Sequence, residues 1–172
     1  MRSLLKTKKG LSTVVTTLII LVVAVLLATV VTYYAINMTT TRVQEENLRI
    51  SKAHIWANSS VAQAAFVIVN IGGRDTLIDK IQVRGQVMNW SSCYYERSTA
   101  APAGDLEYIN ATDGTWGTAA GDDLSLKSGQ YLTIYIDSPG TISVEDVGVT
   151  CSITVFTASA QYKVEVNVES AS

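Results

Sequence analysis

Residues 11–34 form a nearly unbroken apolar run, from Leu11 to Tyr34, interrupted only by Ser12 and five threonines. No charged residue occurs between Lys9 and Arg42. A bilayer core about 30 Å thick takes roughly 20 apolar residues as a helix, so this run predicts a membrane-spanning helix. Its Val, Ile and Thr are mediocre helix formers in water. In lipid the helix is enforced, because every backbone group must be satisfied within the segment. Threonine hydroxyls are tolerated there, since each can return to a carbonyl one turn earlier. Past the run, Ile36, Val43 and Ile50 recur every seven residues, with Leu48 and Ile55 on an adjacent stripe. Arg42, Glu45, Glu46, Arg49 and Lys52 fill much of the remainder. This spacing predicts an amphipathic continuation of the helix to Ile55, giving a rod of roughly 65 Å.

The period then falls to two. Leu132, Ile134 and Ile136 alternate with polar or small neighbours, as do Cys151, Ile153 and Val155, and Tyr162, Val164, Val166 and Val168. Such alternation predicts half-buried strands. The predicted strands cover 64–71, 76–85, 87–90, 106–109, 131–137, 141–145, 147–157 and 159–168. Turn signals separate them at Gly72-Gly73, Ser128-Gly129 and Ser138-Pro139-Gly140. Seven or eight short strands in about 110 residues predict one immunoglobulin-like β-sandwich. The fold class is therefore α+β, a long N-terminal hydrophobic helix over 11–55 followed by an all-β domain over 56–172. The stretch 100–123 is poor in β-formers and reads mostly as an exposed loop. With Trp116 near its tip, this loop is the candidate environment-facing surface, the alternative being a tolerated insertion.

Charge sets the orientation. Arg2, Lys6, Lys8 and Lys9 precede the apolar run, and the basic flank stays in the cytoplasm. The C-terminal domain then faces outward. The run is longer than a secretory signal's apolar region, and Ala24, Ala28 and Ala35 make no Ala-x-Ala site. No cysteine near the helix end offers a lipid anchor. An uncut single-span anchor stays open on these grounds.

Lys8-Lys9-Gly10 followed by Leu11-Ser12 and a long Val/Ile/Leu/Thr helix resembles the class III signal peptide of type IV pilin-like proteins. The archaeal branch, adhesion pilins and archaellins, is the best match. The resemblance is specific over residues 6–35 and architectural beyond them. It implies that residues 1–10 are a leader, removed by a membrane peptidase cutting between Gly10 and Leu11. It implies further that the mature helix polymerises into an extracellular filament through positions such as Leu11, Val15, Leu18, Leu21, Val22, Val25, Ile36, Val43 and Ile50. Bacterial pilins carry a glutamate at the fifth mature position, and here that position is Val15. The helix also lacks the glycine-rich opening of many archaellins, which favours a pilin for adhesion over a motility subunit. The implied partners are copies of the chain itself, the leader peptidase, the assembly machinery and, before assembly, the membrane. The implied location is the cytoplasmic membrane for the precursor and the cell surface for the filament. Loss of the four leader cations leaves nine of thirteen Lys/Arg against fifteen Asp/Glu, a formal charge near −6.

Candidate chemistry is sparse. Cys93 and Cys151 are an even pair in an externalised region, which favours a disulfide. It would close a loop of about 59 residues, worth about 4 kcal/mol in the chain-entropy model; the alternative is two buried thiols. Four glycosylation sequons begin at Asn37, Asn58, Asn89 and Asn110. Asn110, in the loop, is the best acceptor candidate, and Asn37, at the membrane exit, the poorest. His54 is the only histidine and reads as a packing residue on the helix. Trp90, Tyr94 and Tyr95 are core and edge-strand filling, or a sugar-stacking patch. No nucleophile elbow, phosphate loop or metal-ligand set is visible, so neither an enzyme nor a cofactor is expected. The acidic balance disfavours nucleic acid. The competing reading is a membrane-anchored outer domain that binds a ligand.

Overall fold

A computed structural model describes residues 3–43, 45–109, 116–118 and 123–171, and within the helix the side chains over 10–40. The chain divides into two compact units, 1–42 and 43–172. The first is one helix, α1 (Ser3–Val43). It runs through the basic N-terminal residues and the apolar segment without a break. None of its apolar window is buried against the rest of the chain.

The second unit is built of strands β1 (Leu48–Ala57), β2 (Ala62–Asn70), β3 (Thr76–Val83), β4 (Gln86–Val87), β5 (Cys93–Ser98), β6 (Gly117–Thr118), β7 (Leu124–Leu126), β8 (Tyr131–Asp137), β9 (Thr150–Thr157) and β10 (Gln161–Ser170). They form one curved sheet in the order β4-β3-β9-β10-β1-β2-β8-β5-β6, with β7 also on β3. All neighbours are antiparallel except β1 and β10, the first and last strands, whose parallel pairing joins the two halves of the sheet. The halves face each other across one core. Phe66 and Ile68 of β2 with Ile134 and Ile136 of β8 come from one half, and Ile81, Ile153 and Val155 from the other. Each of these side chains is at most 1 % exposed. The registers Phe66↔Ile134 and Ile153↔Val164 keep apolar positions on the inner face, as period-two alternation requires.

The amphipathic continuation to Ile55 is corrected here. The helix stops at Val43, and Ile50 lies in β1, outside any helical surface. A register shift between Ser51 and His54 explains the misreading. It places Lys52 in a left-handed conformation (φ 49°) and spaces the inward residues 48, 50, 53, 55 and 57. A β-bulge thus turned a two-residue period into one that mimics a helix. Ahead of β1 the chain is already bound to the domain. Asn47 O accepts from Ile71 N (2.9 Å) and Gly72 N (3.1 Å).

The predicted strands at 76–85, 131–137, 147–157 and 159–168 correspond to β3, β8, β9 and β10, within a few residues at their ends. Two other expected strands are absent. Residues 141–145 end in a 3-10 turn over Val144–Asp146, because the Asp146 carboxylate accepts from both Ser143 N (2.9 Å) and Ser143 Oγ (3.0 Å). Leu106–Ile109 forms no strand. The β3–β4 hairpin turns through Arg84 (φ 49°) and Gly85 (φ 82°), the two left-handed residues of a tight hairpin loop.

Candidate functional site

The first candidate is the surface of α1. Among its described residues, Leu11, Val15, Leu18, Leu21, Val22, Val25 and Ile36 are all 49–72 % exposed. Six threonine hydroxyls turn inward along the helix. Thr16 donates to Ser12 O, Thr17 to Val14 O, Thr29 to Leu26 O, Thr32 to Ala28 O, Thr39 to Ala35 O and Thr40 to Ile36 O, all at 2.8–2.9 Å. These bonds lower the polarity of the helix exterior over the apolar run despite its threonines. The span 10–40 is long and apolar enough to cross a membrane. Gly10 sits inside the helix, and a Cβ there would meet nothing within 4 Å. Packing does not require glycine at this position, and in a helix it costs about 1 kcal/mol relative to alanine. The side chain of Val43 lies outside the described surroundings.

The second candidate is the outer face of the β1–β2–β8–β5 half, where sequence reasoning placed an open loop. Residues 100–109 lie on this face. Leu106, Tyr108, Ile109 and Trp116 cover a patch made by Trp56, Ala65 and Tyr135. Trp116 packs edge-on against Tyr135 at 4.8 Å and is not an outward tip. Four side chains of the sheet hold the segment. Gln63, 1 % exposed, grips both main-chain polar groups of one residue: its Nε2 donates to Ile109 O (2.8 Å) and its Oε1 accepts from Ile109 N (3.2 Å). Its Nε2 also reaches Asp137 Oδ1 at 2.6 Å. Lys52 Nζ donates to Pro102 O (2.7 Å) and Gly104 O. Tyr135 Oη donates to Glu107 O at 3.3 Å, and burial pushes this phenol above the ordinary tyrosine range. His54 meets Asp105. None of these anchors carries a sequence motif. The only signal was a concentration of polar side chains at outward positions of otherwise apolar strands.

The remaining sequence candidates scatter. The expected Cys93–Cys151 disulfide is not formed: both cysteines are free, buried thiols in the main core. Cys93 Sγ is directed at Asn89 O, 3.4 Å away, and burial pushes its thiol up to about 12. Asn58 and Asn89 each cap a turn, accepting from Ser60 N (2.9 Å) and Ser91 N (3.1 Å). Asn37 is exposed on the apolar helix, and Asn110 lies outside the described residues. Trp90 and Tyr95 pack on the main core, while Tyr94 joins the covered outer patch. Among the described residues no His/Cys/Asp/Glu group has metal-binding geometry.

Fold and site define a chain with one apolar helix of membrane-spanning length followed by a mostly β domain. No family model matches the chain, and no curated protein matches it. Among solved structures, domains 4 and 5 of the S-layer protein SbsC share 11 % identity over 72 % of this chain, with a TM-score of 0.22. The matched region spans about half of that structure, 47 %.

Proposed function

We propose that the chain is a structural subunit of an extracellular type IV pilus-like filament, an adhesion pilin, and not an enzyme. In this reading a peptidase removes residues 1–10 at Gly10–Leu11, and the mature helix polymerises with copies of itself. The β domain, read as an immunoglobulin-like sandwich, forms the outer surface.

The observation that carries the reading is the helix exterior. Eighteen large apolar side chains between Leu11 and Met38 are 47–72 % exposed. Burying each from water is worth about 1.5–3 kcal/mol, so such a helix is compatible only with lipid or with other apolar helices. Its inward-turned threonines suit either setting. The steric freedom at Gly10 adds support, because a glycine unneeded for packing sits at the boundary between cations and the apolar run. A self-contact that does not close into a ring generates an open filament.

The test is the N-terminus and intact mass of the protein from sheared native cell surfaces, with Gly10→Val alongside. A chain beginning at Leu11 in the sheared fraction, lost in Gly10→Val, is expected. A chain beginning at Met1 and confined to membranes would overturn the proposal in favour of an anchored ligand-binding domain. Filaments that assemble unchanged in Gly10→Val would also overturn it.

A further inference from the structure

His54 projects from β1 between two carboxylates of different elements. Its Nε2 lies 3.1 Å from Asp105 Oδ1, in the covering segment, and its Nδ1 lies 3.4 Å from Glu169 Oε1, on β10. A neutral imidazole has one N–H, so one nitrogen would direct its lone pair at a carboxylate oxygen. Only the imidazolium donates to both. The ring also lies parallel to Trp56, with 5.3 Å between centroids and 5° between planes. A cation over an indole face gains a further attraction that the neutral ring lacks. Both carboxylate contacts and the stacking on Trp56 are complete together only in the imidazolium.

The other groups facing this ring are few. Lys52, on the same strand, is turned to the carbonyls of Pro102 and Gly104. Tyr108 of the covering segment meets Trp56 edge-on at 6.4 Å, and β2 contributes Ala65 to the same patch. The Asp105 carboxyl is held below the usual carboxylate range, first by His54 and then by the Leu106 N–H. It therefore remains an anion throughout the range in which imidazoles take up a second proton.

We propose that His54 is a proton-operated clasp. With its second proton, it ties the covering segment to β10 across β1 and holds residues 100–109 down over Trp56, Ala65 and Tyr135. Without that proton, one of the two carboxylate contacts is lost and the segment opens more often, exposing an aromatic patch on the outer face. The clasp lies wholly within the β domain and does not depend on the filament reading.

The test uses the full chain in lipid nanodiscs. Because the protein has a single histidine, its ring signals in NMR report His54 without ambiguity. Hydrogen exchange of residues 100–109, corrected for intrinsic rates, is followed from pH 5 to pH 8. Protection is expected to fall about fivefold as pH rises, the scale of an exposed ion pair, in step with the ring titration. Asp105→Asn and Glu169→Gln are each expected to weaken the pH dependence of protection, and His54→Gln to abolish it. Protection that is flat with pH in the unaltered protein overturns the clasp, as does a pH dependence left unchanged by both carboxylate variants. Should His54→Gln disturb folding, the two carboxylate variants and the wild-type profile still decide the matter.

Discussion

Replacing Gly72 with alanine tests how the start of the β domain is fixed. A methyl at Gly72 would stand 2.6 Å from Glu45 O and 2.7 Å from Asn47 N. Both are main-chain atoms and cannot rotate away. Relief requires the 45–47 segment to withdraw, which stretches the bonds from Ile71 N and Gly72 N to Asn47 O. Two backbone hydrogen bonds are worth about 1 kcal/mol each, and overpacking alone costs about 1–3 kcal/mol. The two losses overlap, because moving the segment relieves the clash by giving up the bonds, so the expected cost is about 2–3 kcal/mol. For a domain of this size that corresponds to a melting temperature lower by roughly 10 °C. Thermal unfolding of the β signal in circular dichroism measures it, with Gly140→Ala as control. A Cβ at Gly140 meets nothing within 4 Å, and that variant is expected to melt with the wild type. A Gly72→Ala melt within about 2 °C of wild type would refute the reasoning.

Three further outcomes are expected. Gln63→Glu keeps an acceptor for Ile109 N but loses the donor to Ile109 O and sets a carboxylate against Asp137; faster proteolysis within 100–109 is expected, and unchanged cleavage would show that Gln63 does not hold the segment. Cys93, buried and with its thiol pushed up to about 12, is expected to resist alkylation at pH 8 in the native protein and to react promptly in denaturant, read by mass spectrometry. The Asp146 carboxyl is held below the usual range by the Ser143 N–H first and the Arg84 guanidinium next. A depressed folded value contributes stability above the unfolded value, about 3.9, and that contribution is lost as pH falls through the folded value. Wild type is therefore expected to lose melting temperature more steeply than Asp146→Asn below about pH 4; parallel profiles would count against this pairing.

The helix was legible because its cause is local. Twenty-odd apolar residues without a charge need no knowledge of partners, and the same holds for the simple alternation of β8 and β10. β1 was not legible, since a bulge at Ser51–His54 carries its inward residues from 48 and 50 to 53, 55 and 57. That spacing, continued from Ile36 and Val43, looks helical until a pairing partner exists. β5 and β7 were missed for a similar reason. Cys93–Ser98 and Leu124–Leu126 carry little pattern of their own and are strands because β8 and β3 offer them ladders.

The sequence by itself determined that this chain has an apolar helix behind a basic N-terminal segment and a β-rich remainder, because length, charge and period act within one segment. Only the tertiary structure decided where the helix gives way to β1, and that both cysteines fill the core as free thiols. It alone also decided that residues 100–109 lie docked under Lys52, His54, Gln63 and Tyr135. Those features depend on which residues meet across as many as 115 positions of chain, and no local pattern encodes such meetings.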